Sequence, residues 1–203
     1  EDAPIADWCR SFGVPVFRGS SDDVLDRYYR CAVQRAASRV VRITGDCPLI
    51  DPALIDAVTR LSLESPDVDY ATNVVPLTYP EGMSVEVAPM RVFEIAWRES
   101  TLPSHREHVT PFMRFQSDRF KHATLTSQRD LAQMRLTVDY REDLDGIEEI
   151  VGILTERDLL PGFSLDDIVR IWDENPTIRA VLGSRQRDLA LRDIAREEGR
   201  HIA

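Results

Sequence analysis

The chain of 203 residues carries 35 acidic and 25 basic side chains, for a formal net charge of −10, with 43% hydrophobic residues. That balance argues against a nucleic-acid binder, which presents a basic face, and it leaves any anionic substrate to be met by local arginines or a cation. No apolar run approaches the ~20 residues that span a bilayer, no signal peptide is evident near Glu1, and three cysteines without Cys-x-x-Cys spacing read as reduced thiols, so the expectation is a cytoplasmic α/β protein.

Short β-like runs alternate with helical stretches, the pattern of a largely parallel sheet covered by helices. Residues 3–12 read as a helix closed by Gly13, and 14–17 as a strand. Ser21 and two acids start a helix with Val24, Tyr28 and Cys31 along one side. Residues 39–44 form a β-branched strand, followed by a loop to Ile50. Asp51-Pro52 is a strong helix start, an N-cap acid before a proline, and that helix runs to about Glu64. Strands are expected at 69–72 and 84–88, on either side of a loop holding Pro76, Pro80 and Gly82. Pro89 opens a helix to about Ser100. Ser104-His105-Arg106-Glu107 has the spacing of a capping box for the next helix, which Pro111 should bend. The last strands are expected at 120–126 and 135–138. Helices follow at 141–157 and 164–174, the latter with a cap pattern from Ser164 to Asp167. Asn175-Pro176 breaks the chain, and the remainder to Ala203 reads as a helical tail. The domain organisation expected is an α/β domain over 1–158 and a helical extension over 159–203. Because the chain enters directly in a helix, an N-terminal βα unit is expected to be missing.

Two acids leave strand ends. Asp46, in Arg42-Ile43-Thr44-Gly45-Asp46-Cys47-Pro48, projects from a rigid support at the carboxyl edge of the sheet, where open α/β folds place ligands. It suits a Mg²⁺ ligand in a phosphate site, or equally a carboxylate that bonds its own loop. Asp139 leaves the 135–138 run in the same way; it is either a second ligand or the N-cap of the following helix, with Glu142 three residues on. Ser20 and Asp23 stand at a helix N-terminus, which suits a base or ribose contact or simple capping. Cys47 reads as a small buried hydrophobe.

Taken in order, Arg-Gly-Ser-x-Asp-Asp-Val-Leu-Asp-Arg-Tyr (18–28), Arg-Ile-Thr-Gly-Asp-Cys-Pro-Leu-Ile-Asp (42–51), Tyr-Pro-Glu-Gly-Met-Ser-Val-Glu-Val (79–87), Ser-His-Arg-Glu-His-Val-Thr-Pro (104–111) and Leu-Thr-Val-Asp (136–139) strongly resemble the spore-coat polysaccharide cytidylyltransferase family. That family is related to the synthetases of CMP-activated sugar acids. The resemblance implies a Rossmann-like nucleotidyltransferase fold with a mostly parallel mixed sheet. It implies transfer of CMP from CTP to a sugar or sugar acid with release of pyrophosphate, for polysaccharide or glycan biosynthesis. Asp46 and Asp139 would hold Mg²⁺, and Ser20, Asp23 and Arg42 would lie near the nucleotide. Gly82, Glu86, Arg106 and His108 would face the acceptor, with Arg106 the first candidate for a sugar carboxylate. The relatives are often homodimers. A Ser- and Arg-rich nucleotide loop with a lysine, usual near the family's N-terminus, is not among these residues. Competing readings are a nucleotide-binding or assembly module without catalysis, and a glycosyltransferase of similar architecture.

Overall fold

A computed structural model describes residues 2–183 together with Ile194 and Glu197. Helix α1 (Ala3–Ser11) ends where Gly13 takes a φ of +69°, in the left-handed region glycine tolerates best. The expected strand at 14–17 does not form: Val14 is exposed and the segment pairs with nothing among the described residues, so no ladder satisfies its backbone. Helix α2 (Val24–Gln34) starts three residues after Ser21, on Asp23, whose carboxylate accepts Asp26 N–H at 2.9 Å. Strand β1 (Arg39–Arg42) leads through the Asp46 loop into α3 (Pro52–Glu64). Asp51 caps α3 as expected, accepting Ala53 N–H at 2.7 Å; its second oxygen accepts Leu165 N–H at 2.8 Å and so ties two distant helix starts together.

Strands β2 (Tyr70–Thr72) and β3 (Glu86–Pro89) are buried along their whole length. Helix α4 (Met90–Glu99) follows β3 directly. The single bent helix expected from Ser104 is instead two short ones, α5 (Pro103–His108) and α6 (Pro111–Arg114). Leu102, not Ser104, is the N-cap, with Pro103 at the first helical position; Val109 takes a φ of 73° and stops α5, and Pro111 restarts the helix. Strand β4 (His122–Thr124) is the last of the described sheet. The strand expected at 135–138 reduces to one bridge between Glu81 and Arg135. Its backbone groups go to two different segments: Leu136 N–H bonds Glu81 C=O at 2.8 Å and Val138 N–H bonds Asp46 C=O at 2.9 Å, so no regular ladder grows. Helices α7 (Arg141–Glu156), α8 (Leu165–Glu174) and α9 (Pro176–Leu182) complete the described chain. Asn175-Pro176 ends α8 and immediately starts α9.

The sheet order is β1-β3-β2-β4, with β3 antiparallel to both neighbours and β2 parallel to β4. Strands β1, β2 and β4 therefore point one way and β3 alone is reversed: the sheet is mixed as expected, but because β3 lies inside it, two of the three pairings are antiparallel. Reversal of β3 follows from the helix-free connection between Thr72 and Glu86, since a parallel return needs a crossover, usually a helix. Alternate residues feed two cores. Ala71, Val85 and Val87 join α3, α7, α8 and α9, while Tyr70 and Ala88 join Leu25, Phe93, Val109, Phe112 and Met113 on the other face. The part of the 159–203 extension in α8 and α9 thus shares the first core through Ile168, Ile171, Ile178 and Leu182. Apart from Ile194 and Glu197, the rest of the expected tail lies outside the described residues. Among the described residues no helix is long and apolar enough to cross a membrane.

Candidate active site

The carboxyl ends of β1 and β2 meet the start of β3 in one register: Arg42 and Thr72 both stand opposite Glu86. A cleft of about 270 Å³ opens at this edge, walled by Arg42, Thr44, Asp46, Gly82, Glu86, His108, Arg114 and Thr137, with Val74, Leu77 and Ile194 as apolar lining. Five of the sequence-derived candidates (Arg42, Asp46, Gly82, Glu86 and His108) are thereby gathered from separate segments.

Glu86 is the electrostatic centre. It is 2% exposed. Arg42 donates to one carboxylate oxygen at 2.7 Å and Arg114 to the other at 2.5 Å, and the buried Tyr70 hydroxyl donates to that second oxygen as well. Burial disfavours its charge, yet Arg114 and Arg42, helped by the Tyr70 hydroxyl, outweigh it and bring its pKa down to about 2. Burial, and then Glu86, push the Tyr70 phenol upward. Arg114 is raised: Glu86 overcomes the cost of burying the guanidinium. Two guanidinium groups around one carboxylate leave a local excess of positive charge in a strongly acidic protein. Arg42 bonds the protein through one N–H; its other donors meet no acceptor among the described residues.

Asp46 sits half-buried on the loop between β1 and α3, and Cys47 Sγ lies 3.5 Å from its Oδ1. Burial, with Asp46 beside it, pushes the Cys47 thiol up to about 12, which keeps it a protonated packing group. The 2.9 Å bond from Val138 N–H to Asp46 C=O lays the Asp139 segment against the Asp46 loop. Asp139 is not the helix cap: α7 starts on Tyr140, and Asp143 accepts the N–H groups of Asp139 and Tyr140, each at 3.0 Å. The Asp139 carboxylate is 48% exposed and paired with Arg135. Arg135 is shared with Asp143 at 2.6 Å and Glu81 at 3.4 Å, so this acidic corner is held by one buried guanidinium.

Gly82 has a φ of 93°, and a Cβ there would come within 2.8 Å of the Leu136 carbonyl. Its hydrogen atom lets the 79–83 loop lie against the 134–136 segment and so shapes one wall. His108 is at the last turn of α5, and its imidazole makes no hydrogen bond to the described residues. Burial lowers its pKa; Arg42 and Arg114 add to this, while Glu107 and Glu197 oppose it.

The remaining candidates stand apart from the cleft lining. Ser20 accepts the N–H groups of Asp22 and Asp23 at 3.2 and 3.0 Å, a turn before α2. Arg106 points to Asp23, donating from Nε at 2.9 Å and from a terminal nitrogen, and also holds Trp97 C=O at 2.7 Å. It therefore locks α5 to α2 and α4 in this structure, and the guanidinium groups at the cleft are those of Arg42 and Arg114. Arg114 was missed in the sequence because it follows Thr-Pro-Phe-Met and reads as the polar end of an apolar turn. Tyr70 carried a signal, a phenol inside a strand buried on both faces, which needs a partner.

A sequence model of the cytidylyltransferase family matches residues 1–165. An uncharacterised protein of Methanocaldococcus jannaschii is 33% identical over 198 residues, 96% of this chain and 77% of that protein. The spore coat polysaccharide biosynthesis protein SpsF of Bacillus subtilis is 28% identical over 172 residues, 83% of this chain and 68% of that one. The mitochondrial 3-deoxy-manno-octulosonate cytidylyltransferase of Arabidopsis thaliana is 34% identical over a shorter stretch of 88 residues, 41% of this chain and 30% of the plant protein. Among solved structures, a cytidylyltransferase from Leptospira borgpetersenii superposes with a TM-score of 0.83 at 29% identity, covering 91% of this chain and 75% of that one. The match runs through the β1 end, the β3 start and the α5–α6 corner alike, and on it the chain belongs to the cytidylyltransferase family and is a nucleotidyltransferase.

Proposed function

We propose that the cleft at the β1–β3 edge is where an acceptor sugar acid receives CMP from CTP, with pyrophosphate as the second product. One observation carries the reading: Asp46 and the Asp139 segment are joined at the backbone beside a cleft where Arg42 and Arg114 together flank the Glu86 carboxylate. The acids give one side suited to a cation and the arginines another suited to a carboxylate.

Among the described residues no cluster of three or more acid, histidine or cysteine side chains is disposed to hold a metal ion. Two carboxylates still fit Mg²⁺, which is commonly bound by one or two of them with water and substrate phosphates filling the rest of its shell. Asp46 and Asp139 would hold it, Asp139 by exchanging Arg135 for the cation. When bound, Mg²⁺ neutralises phosphate charge as the α-phosphorus is attacked. The protein's own part is positioning. The N–H groups of Arg42 that meet no acceptor among the described residues and the charge of Arg114 orient an acidic acceptor, and Gly82 lets the wall close on it. Val74 and Leu77 give the cleft an apolar side, while Ser20 and Asp23 lie outside its lining, one oxygen of Asp23 held by Arg106 and the other by Asp26 N–H.

The three described cysteines are free thiols, which supports a cytoplasmic setting. A homodimer belongs to the same reading and is checked by sedimentation velocity. The activity test is pyrophosphate release by the full-length protein with CTP, Mg²⁺ and 3-deoxy-manno-octulosonate as the probe acceptor. Asp46→Asn and Asp139→Asn should each lose turnover by 100-fold or more, on the order of 3 kcal/mol of transition-state stabilisation. Turnover within a few-fold of the parent in both variants sinks the metal assignment.

A further inference from the structure

A hydroxyl that attacks phosphorus must give up its proton, and the cleft offers few groups that could take it. Glu86 is held by two guanidinium groups and a phenol, so its lone pairs are committed and its basicity is low. Glu81 is paired with Arg135. The Cys47 thiol is buried against Thr44, 3.1 Å from its hydroxyl. Thr44, Ser84 and Thr137 carry hydroxyls, which are not bases at neutral pH. Asp46 is assigned to the cation. Among the described residues one basic group remains on the wall, the imidazole of His108, which makes no hydrogen bond to them.

We propose that His108 is a catalytic residue, the general base that receives the proton of the attacking acceptor hydroxyl. The proposal rests on reading this cleft as the acceptor site, and adds to it a role for a residue otherwise expected only to touch the sugar. A sphere of the cleft's volume is about 8 Å across, so an acceptor within it lies within reach of both the Asp46 side and the His108 side. The backbone fixes the imidazole's mount. Val109, fully buried and β-branched, is forced to a φ of 73° immediately after His108, and Thr110 N–H bonds His108 C=O at 2.9 Å. Such a conformation is costly and persists only where the surroundings impose it, commonly at functional sites.

In the step, the acceptor oxygen bonds the α-phosphorus while the bond from that phosphorus to the bridging oxygen of the β-phosphate breaks. The bond's electron pair leaves on pyrophosphate, and the hydroxyl proton moves to an imidazole nitrogen of His108. The charged groups facing the ring are Arg42 from β1, Arg114 from α6, Glu107 from α5 and Glu197. Burial and the two arginines favour the neutral, proton-accepting ring in the resting state, and Glu107 and Glu197 temper the charge once the proton arrives.

The test is a pH profile of CMP transfer by the full-length protein, with CTP, Mg²⁺ and 3-deoxy-manno-octulosonate as the probe acceptor. Wild type should lose kcat/KM along an acidic limb lying below the ordinary histidine value of 6.5. His108→Gln, which keeps hydrogen-bonding capacity without basicity, should lower kcat at pH 8 by about 100-fold or more and abolish the acidic limb. His108→Ala should regain part of its rate with added imidazole. A His108→Gln enzyme that keeps its rate within a few-fold, or keeps the limb, overturns the base and leaves the acceptor site standing; so does a slow His108→Ala that imidazole does not help. A wild-type protein that makes no CMP conjugate overturns the acceptor-site reading and the base with it.

Discussion

Replacing Glu86 by glutamine tests the centre of the site with almost no change of shape. The wild-type carboxylate is 2% exposed and neutralises one of two guanidinium charges, with Arg42 at 2.7 Å and Arg114 at 2.5 Å. Its pKa falls from an ordinary 4.5 to about 2, which at about 1.4 kcal/mol per pH unit corresponds to about 3 kcal/mol of stability at neutral pH. The cost of leaving a buried charge without its partner is of the same size, about 3–5 kcal/mol. The sign is fixed by the direction of the shift. A carboxyl more acidic in the folded protein than in the unfolded chain stabilises fully above pH 4.5, and that contribution disappears as pH falls toward 2. Urea unfolding of wild type and Glu86→Gln should therefore differ by about 3 kcal/mol at pH 7, with the difference closing through the acid range. Removing Arg114 as well, as Glu86→Gln/Arg114→Met, should recover part of the loss, because one of the two uncompensated charges goes with it. A Glu86→Gln protein within about 1 kcal/mol of wild type at pH 7, or a gap that stays constant to pH 3, would refute the claim that Glu86 is the charged keystone of the floor.

Two further substitutions separate architecture from chemistry. Arg106→Gln should lower the melting temperature by several degrees, since it breaks the Asp23 and Trp97 bonds that lock α5 to α2 and α4, while KM for the probe acceptor stays within about three-fold; a large rise in that KM without a change in melting temperature returns Arg106 to the acceptor site. Gly82→Ala should cost about 2 kcal/mol or more in thermal or urea unfolding, combining the left-handed backbone with a Cβ 2.8 Å from the Leu136 carbonyl, and an unchanged melting temperature would show that the loop yields freely.

What the sequence discloses about this molecule depends on how local the physics is. Asp51-Pro52 and Ser164 to Asp167 are read correctly because a cap is settled within four residues: Asp51 accepts Ala53 N–H, and Ser164 and Asp167 satisfy each other. The helix after Pro89 is legible for the same reason, and the β-branched strand read at 39–44 forms over Arg39–Arg42, where β3 pairs with it. Segments 14–17 and 135–138 have the composition of strands, but a strand is a relation between two segments, and their backbone groups find no single partner to ladder with. Ser104 has the spacing of a capping box, yet Pro103 already occupies the first helical position, so the cap moves to Leu102 and the Ser104 hydroxyl is left buried without a hydrogen bond to the described residues. The site divides along the same line. Asp46 and Asp139 are visible one at a time as acids at strand ends, whereas the backbone bond that brings their loops together is a property of the fold. Arg106 and Arg114, eight residues apart, are indistinguishable as sequence; α5 turns one toward Asp23, and the stop at Val109 followed by α6 turns the other onto Glu86. Which arginine meets the cleft is therefore decided by a single left-handed residue between them, and the charge that an acidic acceptor would encounter is set by backbone geometry as much as by the arginine count.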